Sequence, residues 1–384
     1  MSRAGPESVL RALTLLARQT GEGVAAQLET LDETAAAHSA LASLANTGLL
    51  GWTVPARDGG AKNELVDKEE VSVRALCAVR DELAWHSGML DVVFVLQGLG
   101  SYPVALGGSA ELRANVLPAV ARGRAVAAFA LTEPDAGSSL GDVSTEASKG
   151  KRGWRLSGKK TFISNAGVAD FYTVLARTSG KVGEASGLSM FHVPTERRGI
   201  QIERFEVMSP HPIGDVILND VEVPDDHLLG EEGQGLEIAL GTLGRFRSSV
   251  AAAANGFSRR AIHESAAHLK GRKQFGRPLS SFQALRFDLA EMDVRLRASQ
   301  LLVAEAAAAV DRGERATAEV ARAKLFATEN ASWICDRAVQ HHGGLGVKRG
   351  EVVERLFRDV RALRIYEGTS EVQKLVLAKE MLGE

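Results

Sequence analysis

The sequence has little charge of one sign to offer a partner. Against 46 lysines and arginines stand 48 aspartates and glutamates in 384 residues, a net of −2. That balance argues against nucleic-acid and membrane-surface binders, which carry a clear excess of one sign. Cysteine is scarce as well. Cys77 and Cys335 lie far apart with no CxxC partner, which removes disulfide scaffolds and cysteine-based zinc sites and makes a reducing, cytoplasmic setting the expectation. Neither GxGxxG nor GxxxxGK[ST] occurs, so a Rossmann nucleotide site or a P-loop has no support. An unbroken hydrophobic run is missing too. The longest uncharged stretch, 92–110, contains Gln97, Gly98, Gly100, Pro103, Gly107 and Gly108, and predicts a helix ending in a turn, not a membrane span. Arg3, Arg11 and Arg18 give the start a faint likeness to a transit peptide, but Glu7 and the lack of a compact apolar block favour an ordinary first helix.

What is present is a globular composition, 45% hydrophobic and 24% charged, enough to bury a sizeable core in two or three subdomains. Residues 1–124 read as an α-helical domain, rich in Ala and Leu and punctuated by Gly48, Pro55, Gly59–Gly60 and Gly107–Gly108. From 125 to 235 the period changes to two, in 127–131, 171–177, 188–193, 200–205 and 216–223, which predicts a middle β domain. From 236 to 384 helical spacing returns. Leu285, Leu289, Met292, Leu296, Val303 and Val310 follow it until Gly313, and alanine runs at 251–254 and 306–309 permit close helix approach, predicting a terminal four-helix bundle.

Some motifs fail on their context. Gly137-Ser138-Ser139-Leu140-Gly141 matches the GxSxG nucleophile elbow of serine hydrolases, with Ser139 as the nucleophile, but an elbow needs a helix directly behind it. Residues 142–160 read instead as strand and turn. His263-Glu264 followed by His268 misses the zincin spacing by one residue, with Ala267 in the required place. Adjacent His341 and His342 point about 100° apart on a helix and have no carboxylate at ligand spacing, so they read as a helix end and no metal site is expected.

Four separated segments carry more. Phe129 to Ser138 is a strand running into a Pro/Gly turn whose amides and hydroxyls could cradle a flat polar ring and a phosphate. Lys159 to Asn165 sets Phe162 and Ser164 two apart, on one face of a strand. Arg272 to Leu279, followed by Gln283, is a basic loop between two long helices, suited to pyrophosphate. The fourth runs from Ala338 through His341-His342-Gly343-Gly344-Leu345-Gly346 to Ile365-Tyr366-Glu367-Gly368-Thr369-Ser370-Glu371.

In order, spacing and identity these segments resemble the acyl-CoA dehydrogenase family of flavoproteins, strongly over residues 100–384 and loosely before. The resemblance implies a mainly α fold: an N-terminal helical domain, a central β-barrel-like domain and a C-terminal four-helix bundle. It implies FAD, with Phe129, Leu131, Thr132, Ser138, Phe162 and Ser164 around the flavin, and Ser138 also near the CoA moiety. Arg272, Phe275 and Gln283 would meet the diphosphate and adenosine, and Gln340, Gly343 and Gly344 the FAD of a neighbouring subunit, hence a homo-oligomer, a dimer at least and a tetramer by preference. Thr369 and Glu371 would contact the cofactor, and Arg247, Tyr366 and Gly368 the acyl-CoA.

Glu367 stands at the family's catalytic base, taking the α-proton of an acyl thioester and yielding the trans-2-enoyl product. Chemistry supports that role, because the α-carbon is a feeble acid and a desolvated carboxylate is a stronger base than one in water. An electron-transferring flavoprotein is the implied electron acceptor. A same-fold oxidase and a carrier-protein thioester dehydrogenase stay open as alternatives. Phe162 replaces the usual tryptophan and Ser164 the usual threonine. Phe246 occupies the position of a base used by a minority of the family. Ser139, Val347 and the loop Met208–Gly214 depart from the family pattern.

Overall fold

The computed structural model describes residues 5–63, 65–66 and 69–383; Arg3, counted above among the N-terminal arginines, lies outside them. In chain order come helices α1 (Pro6–Leu28), α2 (Glu33–Asn46), α3 (Val73–His86), α4 (Gly88–Gly107) and α5 (Ala110–Ala121). Strands follow: β1 (Ala127–Ala130), β2 (Glu146–Gly150), β3 (Gly153–Ser164), β4 (Phe171–Arg177), β5 (Leu188–Pro194), β6 (Ile200–Arg204), β7 (Ile213–Val223) and β8 (Leu228–Leu229). The rest comprises α6 (Gly235–Gly271), β9 (Lys273–Gln274), β10 (Arg277–Pro278), α7 (Gln283–Asp311), α8 (Thr317–His342), α9 (Val352–Leu363) and α10 (Ser370–Leu382). The periodicities named in the sequence thus become the elements they predict, with 59% of the chain helical around a β middle domain.

Two compact units result. One comprises Gly23–Ser72 and Val92–Phe246, the other Met1–Glu22, Val73–Asp91 and Arg247–Glu384, so helices from the first 124 residues contribute to both.

In the sheet-bearing unit the strands run in the order β6-β7-β3-β2-β4-β5-β8. β1 lies parallel to the start of β4, which β2 meets only at its end, Glu146 opposite Arg177. Buried Leu156, Tyr172, Val174, Phe191, Val216 and Leu218 belong to its core, and β4 is buried along its whole length and β5 nearly so, as strands covered on both faces are. Gln97 on α4 is fully buried and ties down the start of β1, donating from Nε2 to the Ala125 carbonyl at 2.8 Å and accepting from the Ala127 amide at 2.9 Å. That pair of hydrogen bonds accounts for a polar side chain inside so apolar a helix. α4 has the length and composition to cross a membrane, yet most of it is buried in the protein.

In the helical unit α8 packs on α7, α9 and α10, and α3 packs on α7. The alanines at 251–254, 306–307, 323, 327 and 331 are all buried in one core with Met292, Leu296 and Val303. Small side chains let these long helices approach closely.

Candidate active site

In the helical unit, the turn between α9 and α10 carries the strongest chemistry. α10 is capped by Thr369, whose Oγ1 accepts from the Val372 amide at 3.2 Å. Just before it, Glu367 and Gly368 sit at φ 52° and 91°. Left-handed backbone is uncommon for a glutamate and persists only where the surroundings hold it. Here two cations from other helices do so. Arg247 Nε on α6 donates to the Glu367 carbonyl at 2.8 Å, and Lys324 Nζ on α8 to the Gly368 carbonyl at 2.6 Å, where Gln373 Nε2 also donates at 3.1 Å. Behind the turn, Arg364 Nε and Ser370 Oγ converge on Glu329 Oε1 at 2.8 and 2.5 Å.

The carboxyl itself is left free. Glu367 Oε2 is enclosed and has no hydrogen-bond partner. Burial pushes the Glu367 carboxyl above the ordinary carboxylate range, against the opposing pull of Arg80, Arg247 and Lys324. Arg80 on α3 is itself fully buried, held by Asp91 at 2.7 and 2.8 Å and by Ser249 Oγ at 2.9 Å. Burial also brings the Lys324 ammonium down to about 8. The sequence nominated Arg247, Tyr366, Glu367, Gly368, Thr369 and Glu371 for this place; Arg80, Asp91, Lys324 and Gln373 it did not.

Elsewhere in that unit the basic loop is a β-hairpin, Gln274 opposite Arg277. Its two turn residues, Phe275 and Gly276, have φ 50° and 77°, the double left-handed turn that suits a two-residue hairpin. The Phe275 ring is 91% exposed, and Arg272 and Gln283 lie at the surface on either side. Gln340, Gly343 and Gly344 are exposed at the end of α8. Close by, His342 stacks on His268 with ring centroids 4.2 Å apart, and the His268 carbonyl accepts from the Arg272 amide. Among the described residues no hydrogen bond or ring contact joins the hairpin to the Glu367 turn.

In the sheet-bearing unit, Phe129 ends inside β1, Leu131 is buried, and Thr132 and Ser138 lie on the turn that follows. A buried ion pair fixes this turn. Lys160 Nζ donates to Glu133 Oε1 at 2.6 Å and to the Leu131 carbonyl at 3.0 Å, while Glu133 also accepts from the amides of Ser144 and Thr145 and from Ser144 Oγ. These donors hold the Glu133 carboxyl down at about 2 despite its burial. Gly137 and Ser138 keep their amides unengaged among the described residues. Phe162 and Ser164 end β3, where the ladder with β7 slips between Lys160 and Ile163. Phe162 occupies that bulge at φ 55° with its ring 62% exposed, edge-on to Phe205 at 5.1 Å. Ser164 Oγ meets His211 Nε2 at 2.9 Å, and His211 Nδ1 meets the Ser209 carbonyl at 2.9 Å. That geometry gives His211 the Nδ1–H tautomer, with Ser164 donating.

The competing motifs dissolve. Ser139 is followed by a 3-10 turn, Leu140–Asp142, and then β2, with no elbow helix. Glu264 pairs with Arg260 at 2.7 Å, and the His263 ring packs on Trp85. No carboxylate stands near His341 in the sequence, but helix packing brings Asp288 Oδ2 on α7 to 3.2 Å from its Nε2. Even so, no group of three or more metal-ligating side chains gathers among the described residues.

Comparison with known proteins decides the family. The N-terminal, middle and C-terminal domain profiles of acyl-CoA dehydrogenases match residues 11–124, 128–221 and 233–382. A cyclohexane-1-carbonyl-CoA dehydrogenase of Geobacter metallireducens is 34% identical over 98% of both chains. The chain belongs to the acyl-CoA dehydrogenase family. A 3-(aryl)acrylate reductase of Clostridium sporogenes is 38% identical over 88% of this chain and 89% of its own. The solved butyryl-CoA dehydrogenase of Megasphaera elsdenii superposes with a TM-score of 0.89 at 30% identity over the full length of both chains.

Acyl-CoA dehydrogenases are FAD-dependent oxidoreductases, and so is this chain. The residues present fit that cofactor. Phe162 and Phe275 hold large aromatic rings outward on strained backbone, as a planar ligand would use them. Gly137 and Ser138 offer amides, Arg272 a surface guanidinium, and Glu367 an enclosed oxygen without a partner. Phe246, which replaces the minority base, is fully buried and packs edge-on to Tyr102 at 5.6 Å, so its ring serves the core.

Proposed function

We propose that this flavoprotein catalyses α,β-dehydrogenation of an acyl-CoA to the trans-2-enoyl-CoA, with Glu367 as the base. The observation that carries the reading is the enclosed, unpartnered Glu367 Oε2 beside cations that bind the turn's carbonyls and leave the carboxylate alone. That oxygen is cut off from water and has gained no compensating donor, so a proton from a substrate carbon is a partner it is placed to take. Oε2 would take the α-proton. The Glu367 amide, which has no partner among the described residues, would donate to the thioester carbonyl and acidify that carbon. FAD, when bound, supplies the acceptor for the β-hydrogen and its electron pair. Phe129, Leu131, Thr132, Ser138, Phe162 and Ser164 would hold the flavin, Arg272, Phe275 and Gln283 the diphosphate and adenosine, and Thr369 and Glu371 a further part of the cofactor. Arg247, Tyr366 and Gly368 would line the acyl-CoA.

An electron-transferring flavoprotein is the proposed acceptor, and a cytoplasmic setting accords with two buried free thiols. The same site run backwards reduces an enoyl thioester, with Glu367 returning the proton, and the relationship to an arylacrylate reductase makes that direction worth measuring. The test is anaerobic bleaching of the purified flavoprotein by butyryl-, cyclohexane-1-carbonyl- and 3-phenylpropionyl-CoA, with reoxidation by the matching enoyl-CoA. Reduction by at least one thioester is expected; a flavin that none of them bleaches and no enoyl-CoA reoxidises contradicts the reading.

A further inference from the structure

We propose that Lys324 is a positioning residue for Glu367, locking the left-handed turn through the Gly368 carbonyl and presenting a positive charge that keeps the carboxylate ionised. The inference deepens the reading of Glu367 as the base and rests on it.

Lysine is among the residues least often buried without a partner, yet the Lys324 side chain is fully enclosed in the middle of α8. Its one hydrogen bond among the described residues is to the carbonyl of Gly368, the residue after the proposed base. An ammonium has three donors, and no carboxylate lies within ion-pairing distance of this one among the described residues. A lysine needed only for packing could be an aliphatic residue at lower cost. The enclosed charge is instead spent on a carbonyl of the turn, 44 residues away in sequence. Gly368 at φ 91° and Glu367 at φ 52° are consecutive left-handed residues. Arg247 clamps the Glu367 carbonyl and Lys324 the Gly368 carbonyl, so the two cations set the backbone from which the carboxyl projects.

The charge has a second effect. Groups facing Glu367 are Arg80 from α3, Asp91 from α4, Arg247 from α6 and Lys324 from α8. Asp91 is engaged by Arg80, which leaves Arg247 and Lys324 as the uncompensated positive charges. Facing Lys324 in turn are Glu367, Arg247, Glu329 and Glu371. Glu329 is taken by Arg364 and Ser370. Removing the Lys324 charge therefore leaves Glu367 with one uncompensated cation instead of two, and its carboxyl must move further upward.

The experiment compares wild type, Lys324→Met, Lys324→Arg and Glu367→Gln as FAD-loaded proteins, in amide hydrogen exchange over residues 365–369 and in the pH profile of anaerobic flavin reduction by butyryl-CoA. Lys324→Met should speed exchange of the turn about tenfold or more. It should also raise the pH of the acidic limb by about one unit, the lower end of what a neighbouring opposite charge contributes. Lys324→Arg, which keeps charge and donors, should restore both. An acidic limb that stays in place in Lys324→Met overturns the proposal even where exchange quickens, because Lys324 would then be a strut alone. Failure of Lys324→Arg to restore either readout overturns it as well. If Lys324→Met does not fold, the arginine variant must still give the wild-type profile, and a displaced one rejects the assignment. Should Glu367→Gln reduce normally, the reading of the base fails instead, and the exchange data still decide whether Lys324 locks the turn.

Discussion

Phe162, Phe275 and Glu367 share a backbone peculiarity, a positive φ at a side chain that resists it. Each such residue costs on the order of 1–3 kcal/mol, and each is one that the sequence motifs nominate for cofactor or substrate. At Gly368 the requirement lies in the backbone, at φ 91°, while a Cβ there would also displace the end of the Gln373 side chain, 2.5 Å away. Gly368→Ala should therefore lower stability by about 1–3 kcal/mol through backbone strain and slow flavin reduction more than it weakens FAD binding, checked by denaturant melts beside FAD titration. Glu367 was legible because it sits in a compact motif, Tyr366-Glu367-Gly368-Thr369. Lys324 and Arg80 were not, because a lone cation among alanines and leucines reads as the solvated face of a helix, and only packing reveals that the face is inside. His211 stayed hidden for a related reason: it lies in a loop that departs from the family pattern, and its contact with Ser164 spans 47 residues.

Among the elements, the connection between α6 and α7 was legible as a basic interhelical loop but not as a hairpin. Its strands are two residues each, too short for any period to show. The same brevity hid β8. β7 begins at Ile213, three residues before the alternation that reveals it, because the bulge against β3 breaks the pattern there. The helix α7 and the strand β4 fell where the sequence pattern placed them, α7 because its apolar residues step by threes, fours and sevens along one face. The hairpin supplies its own prediction. A guanidinium paired with a diphosphate is charge-assisted and contributes on the order of 1.5–3 kcal/mol. Arg272→Ala should weaken FAD affinity roughly tenfold or more by that amount while leaving the melting curve of the apoprotein nearly unchanged. Unaltered FAD affinity would remove the hairpin from the pyrophosphate.

At the scale of the molecule, sequence order and spatial order part company. The helix–strand–helix succession could be read from periodicity, but not that 73–91 belongs with the C-terminal helices. Long-range polar contacts secure that segment: Asp311 at the end of α7 accepts from the Val73 amide at 2.7 Å and pairs with Arg74 at 2.9 Å. No local signal foretells a pairing across more than two hundred residues. On the surface, Phe287, Val294 and Leu301 stand out on one face of α7, each more than half exposed and seven residues apart. Leu345 and Val347, beside Gly343 and Gly344, are exposed as well, and such apolar side chains are what the homo-oligomer implied by the family resemblance would cover. Sedimentation should give a dimer or tetramer, and a monomer with full FAD occupancy would contradict it.

The central claim is that one enclosed carboxylate performs the proton abstraction, and Glu367→Gln tests it most directly because the change keeps side-chain volume and the backbone amide. FAD content and acyl-CoA binding should survive, while anaerobic flavin reduction by a thioester that bleaches the wild type slows by at least ~10²-fold, the lower bound for general-base catalysis. Near-normal bleaching of the Glu367→Gln flavin by that thioester would contradict the account.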